Sequence, residues 1–331
     1  MTSLITWLNC AVMFGTIIMF GSMGEILSQK SGNMNLGVPG IMYLGGFAGF
    51  ASCYYYENSV ANPSPAVIVI LGVGCAFLAA ALGGLIYCFL TTTLRTNQNV
   101  TGLALTTFGM GIANFFGVLV IGENSTATKA AVSYGVFGAK IQALYSNLGA
   151  VGQILFGYGF MVYLAIILAI GLHLFLTRTN VGLNLRAVGE NPATADAAGI
   201  NVTKYKYLST CIGCGITGLG GLYYVMDYNN GIWATTGQIE ALGWLAVALV
   251  IFTRWRTVDA IWGAYLFGFL YWLYRFFAPV TGITISSYAT DLVQTIPYLV
   301  TILVLVFVSL RKKKEDTGPA ALGLSYFRED R

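Results

Sequence analysis

The chain has 331 residues, of which 56% are hydrophobic and 9% are charged, and its formal net charge is +4. Soluble globular domains carry about 25% charged residues, so this composition excludes an ordinary soluble fold. A charge within the bilayer is costly, which explains why a chain surrounded by lipid carries few of them. The composition therefore indicates a membrane protein.

Hydrophobic runs long enough to cross a bilayer recur along the chain, and they predict an all-α polytopic membrane protein with about nine transmembrane helices (8–10). The first run lacks a basic leader and a clear cleavage site, so we expect it to remain a helix. The runs lie at 4–26, 36–54, 66–90, 100–121, 153–176, 207–226, 239–253, 258–276 and 292–310.

The second run is unusual because it combines Pro39 with five glycines. Both residue types interrupt helices, and a helix broken inside a membrane must line a cavity or pack within protein. We therefore predict a broken or re-entrant helix near residues 33–45. A re-entrant segment would change the side of the membrane on which the N-terminus lies.

Basic residues predict the orientation, because short cytoplasmic loops collect Lys and Arg. With the tail 311–331 inside, 14 of the 17 basic residues fall inside. We expect a cytoplasmic C-terminus. The other inside segments would be 27–35, 91–99, 177–206 and 254–257.

The whole chain, 1–331, is predicted to be one transmembrane domain without a soluble domain. The external loop 122–152 should cover the outer mouth, and the charged tail 311–331 should be disordered. Cys211 and Cys214 have CxxC spacing, but we interpret them as small residues at a helix contact. His173, the only histidine, is interpreted as a packed or interfacial residue. We expect no metal and no cofactor.

The energy source must lie outside this chain. Every acidic residue falls at the end of an apolar run or in a loop, whereas ion-coupled transporters usually keep an acid near the midplane. The sequence also lacks a GxxxxGK[ST] phosphate-binding loop, so we expect no ATP hydrolysis by this chain.

The loop 177–206 predicts a short helix outside the membrane. Asn191 is a suitable N-cap, and Pro192 suits the first helical turn. Ala193–Ala198 favours a helix, which Gly199 can end. Such a small-faced helix could dock into a groove of another protein, with its alanines outward. The alternative is a solvated connector.

Several segments, in order along residues 20–310, resemble ABC importer permeases of the branched-chain amino acid and ribose type. The loop reads Arg186-Ala-Val-Gly-Glu-Asn-Pro-Ala-Thr-Ala-Asp-Ala-Ala-Gly-Ile, similar to the coupling-helix pattern of that superfamily. The segment from Gly24 to Met42 resembles an early motif of the nucleoside and simple-sugar (basic membrane protein-associated) subgroup. Further matches begin at Asn97, Gly243 and Ile296.

The resemblance implies a permease subunit of an ATP-driven importer, for nucleosides or simple sugars, in a bacterial cytoplasmic membrane. The partners implied are ABC ATPase subunits, a second and paralogous permease, and an extracytoplasmic substrate-binding protein; no nucleic acid is implied. The residues expected to couple to the ATPase are Gly189, Glu190, Asn191, Pro192, Ala195, Asp196, Ala198 and Gly199.

The early motif also suggests where a substrate passes. Asn33 and Asn35 lie beside the predicted break and offer neutral amide donors and acceptors, which suit hydroxyls and ring nitrogens. Thr106 and Asn114 are further candidates in the fourth run. The alternative for Asn35 is that it only caps a helix. Pro39 stands where the subgroup usually has an acid, so any role of that acid is absent or moved.

The alternatives to a permease are a secondary transporter and an intramembrane enzyme. A secondary transporter or facilitator for a small neutral solute predicts internal repeats with ionisable groups at matching depths. An intramembrane enzyme predicts paired catalytic residues at one depth. The sequence shows neither pattern, so the permease interpretation is favoured.

Overall fold

The computed structural model describes residues 2–122, 127–140, 149–234, 238–273 and 317–327, with isolated positions between 275 and 306. Most of the predicted span 292–310 and the basic run 311–314 lie outside the described residues. The described part is mainly helical, with one two-stranded sheet.

Twelve helices are described, and two of them end in a π-helical turn. These turns, Phe89–Thr93 and Tyr224–Tyr228, extend the third and the tenth helix. The helices are α1 Thr2–Gln29, α2 Val38–Ser59, α3 Pro65–Cys88, α4 Gln98–Ile121, α5 Ala131–Phe137, α6 Gly149–Phe156, α7 Phe160–Arg178, α8 Asn180–Glu190, α9 Pro192–Ala197, α10 Val202–Tyr223, α11 Ile239–Phe252 and α12 Asp259–Tyr271.

Five described segments are long and apolar enough to cross a membrane, which supports the all-α membrane class. The predicted runs 36–54, 239–253 and 258–276 correspond to α2, α11 and α12, which are helical but lie outside this set. The five segments are Ser3–Gln29, Pro65–Thr93, Gln98–Ile121, Phe160–Arg178 and Val202–Tyr228.

Helix α10 lies at the centre of the molecule, because glycines let α1 and α2 approach its backbone. A Cβ added to Gly24 would lie 2.1 Å from the carbonyl oxygen of Gly213 in α10. A Cβ on Gly45 would lie 2.4 Å from the Cα of Gly218. Such small-residue contacts are the usual way for membrane helices to pack closely. They explain why so glycine-rich a chain forms a tight bundle.

The segments predicted to be cytoplasmic meet at one end of the bundle, which we call the basic end. The indole nitrogen of Trp255 donates to Gln29 Oε1 at 2.5 Å. The tail reaches the same end, where the backbone nitrogen of Ala321 donates to the Gly189 carbonyl at 3.0 Å. The described parts of the predicted cytoplasmic loops are therefore neighbours, as their predicted common side requires.

The opposite end of the bundle is closed by the sheet and by a polar contact. Strand β1 (Ala127–Lys129) pairs antiparallel with β2 (Ile232–Ala234). The Glu57 carboxylate accepts hydrogen bonds from the nitrogen and hydroxyl of Ser133, at 2.8 and 2.7 Å. The external loop predicted at 122–152 thus packs on the bundle in its described part.

The broken or re-entrant helix predicted near residues 33–45 is wrong, because the interruption is the loop between two separate helices. Helix α1 continues to Gln29, residues 30–37 are non-helical, and α2 is unbroken from Val38 onward despite Pro39 at its first turn. Proline is tolerated there because the first turn has no acceptor for its missing N–H. Both α1 and α2 run between the two ends, so α1 starts at the end opposite the basic end.

Candidate functional site

The non-helical loop 30–37 is held by a buried polar network centred on Asn35. Glu25 Oε1 accepts from the Asn35 backbone nitrogen at 3.0 Å and from Gln29 Nε2 at 2.8 Å. Asn35 Oδ1 accepts from the nitrogen of Gly37 at 2.8 Å, just before α2 begins. Its amide nitrogen donates to Cys214 at 3.4 Å. Asn35 is 1% exposed, so these protein contacts replace water.

Asn33 lies beside this network and has one unused acceptor. Its amide nitrogen donates to the Thr210 hydroxyl at 3.0 Å, with Cys88 Sγ at 3.8 Å. Its Oδ1 is buried and has no hydrogen-bond partner in the described part of the chain. An unsatisfied buried acceptor costs about 1–3 kcal/mol, which a bound water or solute would recover.

The other two candidate residues lie on helix α4. Thr106 faces this loop, and Asn114 lies further along the helix. The Thr106 hydroxyl donates to the Leu36 carbonyl at 3.0 Å. Asn114 lies about two turns further along α4, and its Oδ1 is also buried, with no partner among the residues that the structure describes. The structure therefore brings Asn33, Asn35 and Thr106 together and leaves Asn114 nearer the opposite end.

Two acidic residues lie near the ends of apolar segments, as predicted, but their side chains are buried. Glu25 and Asp227 are buried, at 2% and 6% exposure, within the apolar segments Ser3–Gln29 and Val202–Tyr228. Glu25 organises the loop, whereas Asp227 Oδ2 is buried and has no hydrogen-bond partner among the described residues. The burial of both carboxyl groups is not visible from hydropathy, because it depends on how the helices pack. The i, i+4 spacing of Glu25 and Gln29 was the available signal.

The predicted short helix forms with the expected boundaries. Asn191 Oδ1 accepts from the Thr194 nitrogen at 3.0 Å, Pro192 begins α9, and Gly199 follows it with a φ of +82°. A positive φ favours glycine, so the stop is where the sequence placed it. The preceding segment also forms a helix, α8, where the sequence predicts a loop.

The orientation of α9 corrects the idea that all of its alanines face outward. Ala195 is 3% exposed and packs in a small cluster with Val188 and Val202. The outward face consists of Ala193, Thr194, Ala197, Ala198 and Gly199. The helix therefore presents small side chains to solvent but anchors itself through Ala195.

The acidic residues of this region already have partners in the tail. The Tyr326 hydroxyl donates to Asp196 Oδ2 at 2.8 Å, and the Ala320 nitrogen donates to Glu190 Oε2 at 3.3 Å. Burial lowers the pKa of Lys30; the nearby Glu190 opposes this shift and Arg186 adds to it. These charges therefore help to fix the basic end itself.

The tail segment 317–327 is ordered, contrary to the disorder predicted for the tail. Gly323 donates its backbone N–H to the Gly32 carbonyl at 3.1 Å, and Gln98 Nε2 donates to the Leu324 carbonyl at 3.4 Å. The Arg95 guanidinium lies 4.5 Å from the centre of the Phe327 ring. The tail segment thus contacts both the loop after α1 and the region between α3 and α4 at the basic end.

The sequence profile of a permease family matches residues 7–308; its description is branched-chain amino acid transport system / permease component. The chain belongs to this family. TsgC13 of Haloferax volcanii, which its name assigns to a glucose ABC transporter as a permease, is 32% identical to this chain over 97% of both chains. No solved structure matches the chain.

Two further relatives of this permease are named for nucleoside transport. The nucleoside ABC transporter permease protein NupC of Lactococcus lactis is 27% identical, over 96% of this chain and 95% of its own. The guanosine ABC transporter permease protein NupQ of Bacillus subtilis is 29% identical over 78% of both chains. Similarity to transport permeases along most of the chain agrees with the helical bundle.

Proposed function

We propose that the chain is the permease subunit of an ABC importer for nucleosides, with simple sugars as the next substrate class. The observation that carries the proposal is the family match along nearly the whole bundle, with relatives named as ABC transporter permeases. The buried amides near the loop suit neutral, hydroxyl-rich solutes better than charged ones.

The basic end faces the cytoplasm in this proposal, and α9 docks on an ABC ATPase there. The charge distribution supports this orientation, since cytoplasmic loops are rich in Lys and Arg. The outward face of α9, with Ala197 and Ala198, offers small side chains to a groove. Gly189, Glu190, Asn191 and Pro192 form the turn that leads into it.

The complete importer would contain two ATPase subunits, a second permease and an extracytoplasmic binding protein. A second permease is supported by Lactococcus lactis NupB, which is 22% identical over 74% of this chain and 65% of its own, alongside NupC of the same strain. We place the assembly in a cytoplasmic membrane, with the substrate path near Asn33, Asn35, Thr106 and Asn114. The unused oxygens of Asn33 and Asn114 support that path.

Reconstitution tests the proposal directly. Proteoliposomes containing this chain, its partner permease, the ATPase and the binding protein should accumulate radiolabelled adenosine or guanosine only with ATP inside. Glucose uptake measured in parallel distinguishes the two substrate classes. A matched control uses an ATPase whose phosphate-loop lysine is replaced, which should abolish uptake.

A secondary transporter remains the alternative, and the same vesicles separate it from the importer. Uphill nucleoside uptake by this chain alone, driven by a proton or sodium gradient without ATP, would overturn the importer proposal. ATP-dependent uptake that requires all the subunits supports it.

A further inference from the structure

A cavity of about 790 Å³ opens at the basic end, between the end of α3, the start of α10 and the tail segment. Among the described residues, its lining includes three cations, Arg95, Lys204 and Lys206, but a single carboxylate, Asp196. That carboxylate already accepts the hydrogen bond of Tyr326. The cavity therefore has an excess of positive charge.

Lys206 is the most informative of these cations because it is 3% exposed. Within the described part of the chain, its ammonium has neither a hydrogen bond nor an ion pair. A lysine charge surrounded largely by protein is costly unless it is paired, so this cavity-lining ammonium favours an anion as its partner.

The start of α10 supplies a second, independent attraction for an anion. This helix of 22 residues begins at Val202, and its first residues line the cavity. Asn201 Oδ1 accepts from the Lys204 nitrogen at 2.9 Å, whereas the N–H groups of Val202 and Thr203 have no acceptor within their own helix. The positive end of the helix dipole therefore faces the cavity.

The wall formed by the end of α3 adds hydroxyl groups. Thr91 and Thr92 line the cavity, and the buried Thr92 hydroxyl oxygen has no hydrogen-bond partner within the described ranges. Lysine ammonium groups, hydroxyls and a helix N-terminus together are the donors that bind phosphate in proteins. Tyr207 and Tyr326 contribute aromatic rings to the same lining.

We propose that this cavity binds a phosphate-bearing anion, and its volume admits an organic phosphate as large as a nucleotide. Arg95, Lys204, Lys206 and the start of α10 would hold the phosphate. Because Asp196 of α9 and Tyr326 of the tail also line the cavity, the bound anion lies beside the segment proposed to dock the ATPase. The phosphate could belong to a soluble metabolite or to a lipid headgroup.

The test uses the full-length chain in nanodiscs of zwitterionic phosphatidylcholine. Equilibrium dialysis with radiolabelled AMP and inorganic phosphate measures soluble binding, which should weaken as salt rises. Native mass spectrometry after reconstitution with phosphatidylglycerol measures a retained anionic lipid. Working without the ATPase removes its own nucleotide site from the measurement.

Three variants locate the binding. Lys206→Gln should weaken it about tenfold or more, because a charge-assisted hydrogen bond is lost. Arg95→Gln, at an exposed position, should weaken it about threefold through lost charge. Arg178→Gln is the matched control, since Arg178 is also exposed at the basic end but does not line the cavity. It should bind as the natural chain does.

The thermal midpoint of each variant separates lost binding from lost folding. If Lys206→Gln unfolds, anion binding by Arg95→Gln tests the proposal instead, because substitution of an exposed side chain should leave the protein folded. Retention of phosphatidylglycerol without AMP binding would assign the phosphate to a lipid headgroup. Failure to bind AMP, inorganic phosphate and phosphatidylglycerol would overturn the proposal, as would undiminished binding in both Arg95→Gln and Lys206→Gln.

Discussion

Asn35 and Asn191 make the same local hydrogen bond in opposite surroundings. Each side-chain oxygen accepts a backbone N–H just before or at the start of a helix, at 2.8 Å for Asn35 and 3.0 Å for Asn191. Asn35 is covered by protein, whereas Asn191 is exposed. Water can replace a lost partner only at the exposed site. Loss of the side-chain hydrogen bond should therefore destabilise the protein more at Asn35 than at Asn191.

Among substitutions that test this difference between the buried and the exposed site, Glu25→Ala should destabilise the protein most. It removes the acceptor of both the Asn35 nitrogen and Gln29 Nε2, and each buried donor left unsatisfied costs about 1–3 kcal/mol. We expect a much lower thermal midpoint in detergent and little folded protein in membranes. Glu190→Ala, which removes an exposed carboxylate at the other region, should leave both measurements nearly unchanged.

A conservative variant identifies the cause of the Glu25 effect. Glu25→Gln keeps an oxygen that can accept the Asn35 N–H, so it should restore most of the folded protein. Equal loss in the alanine and glutamine variants would show that the charge of Glu25, rather than its acceptor, holds the loop.

Asn35→Ala should have the next largest effect. The Gly37 N–H loses its buried acceptor at a cost of about 1–3 kcal/mol, and the proposed path loses an amide. We expect uptake to fall more than co-purification with the ATPase. Uptake is measured in proteoliposomes at matched permease levels.

Two controls accompany that measurement. Asn35→Asp keeps the capping oxygen but removes the amide donor, so normal uptake in this variant would reduce Asn35 to a helix cap. Asn191→Ala removes the equivalent exposed cap and should cost about 0.5–2 kcal/mol of local helix stability. It should weaken ATPase co-purification and leave protein levels unchanged.

The two faces of α9 give a third test. Ala197→Trp adds bulk on the exposed face, so it should block ATPase docking while the permease stays folded. Ala195→Trp adds the same bulk inside the cluster with Val188 and Val202, where overpacking costs about 1–3 kcal/mol. It should loosen the whole segment, measured as faster proteolysis between α8 and α10. Normal docking of Ala197→Trp would show that α9 is only a connector.

The boundaries of α9 could be predicted because they depend on neighbouring residues. Asn191, Pro192 and Gly199 act within a few positions of where they stand in the sequence. The inward direction of Ala195 could not be predicted in this way, because it depends on contacts with Val202 and Tyr326. Helical runs were likewise visible from hydropathy, whereas the burial of Glu25 depends on a loop ten residues away.

The tail is a second case in which the sequence near a residue does not reveal its distant contacts. Its composition is dominated by the charged run 311–316, which favoured disorder for the whole segment. The residues that anchor 317–327 find their partners in loops far away in sequence, including Gly32 and Gly189. Composition describes a segment by itself and therefore misses partners supplied by the rest of the fold.

Tyr326→Phe is the smallest and most specific of these changes. It removes the hydroxyl that donates to Asp196 but keeps the ring, so the free energy of unfolding should fall by only about 0.5–1.5 kcal/mol. Because the lost bond joins the tail to α9, the coupling between ATP hydrolysis and uptake should change more than stability does. The measurement is the ratio of nucleoside transported to ATP hydrolysed, compared with Tyr134→Phe at the opposite end. An unchanged ratio would show that the tail stabilises the basic end without positioning α9.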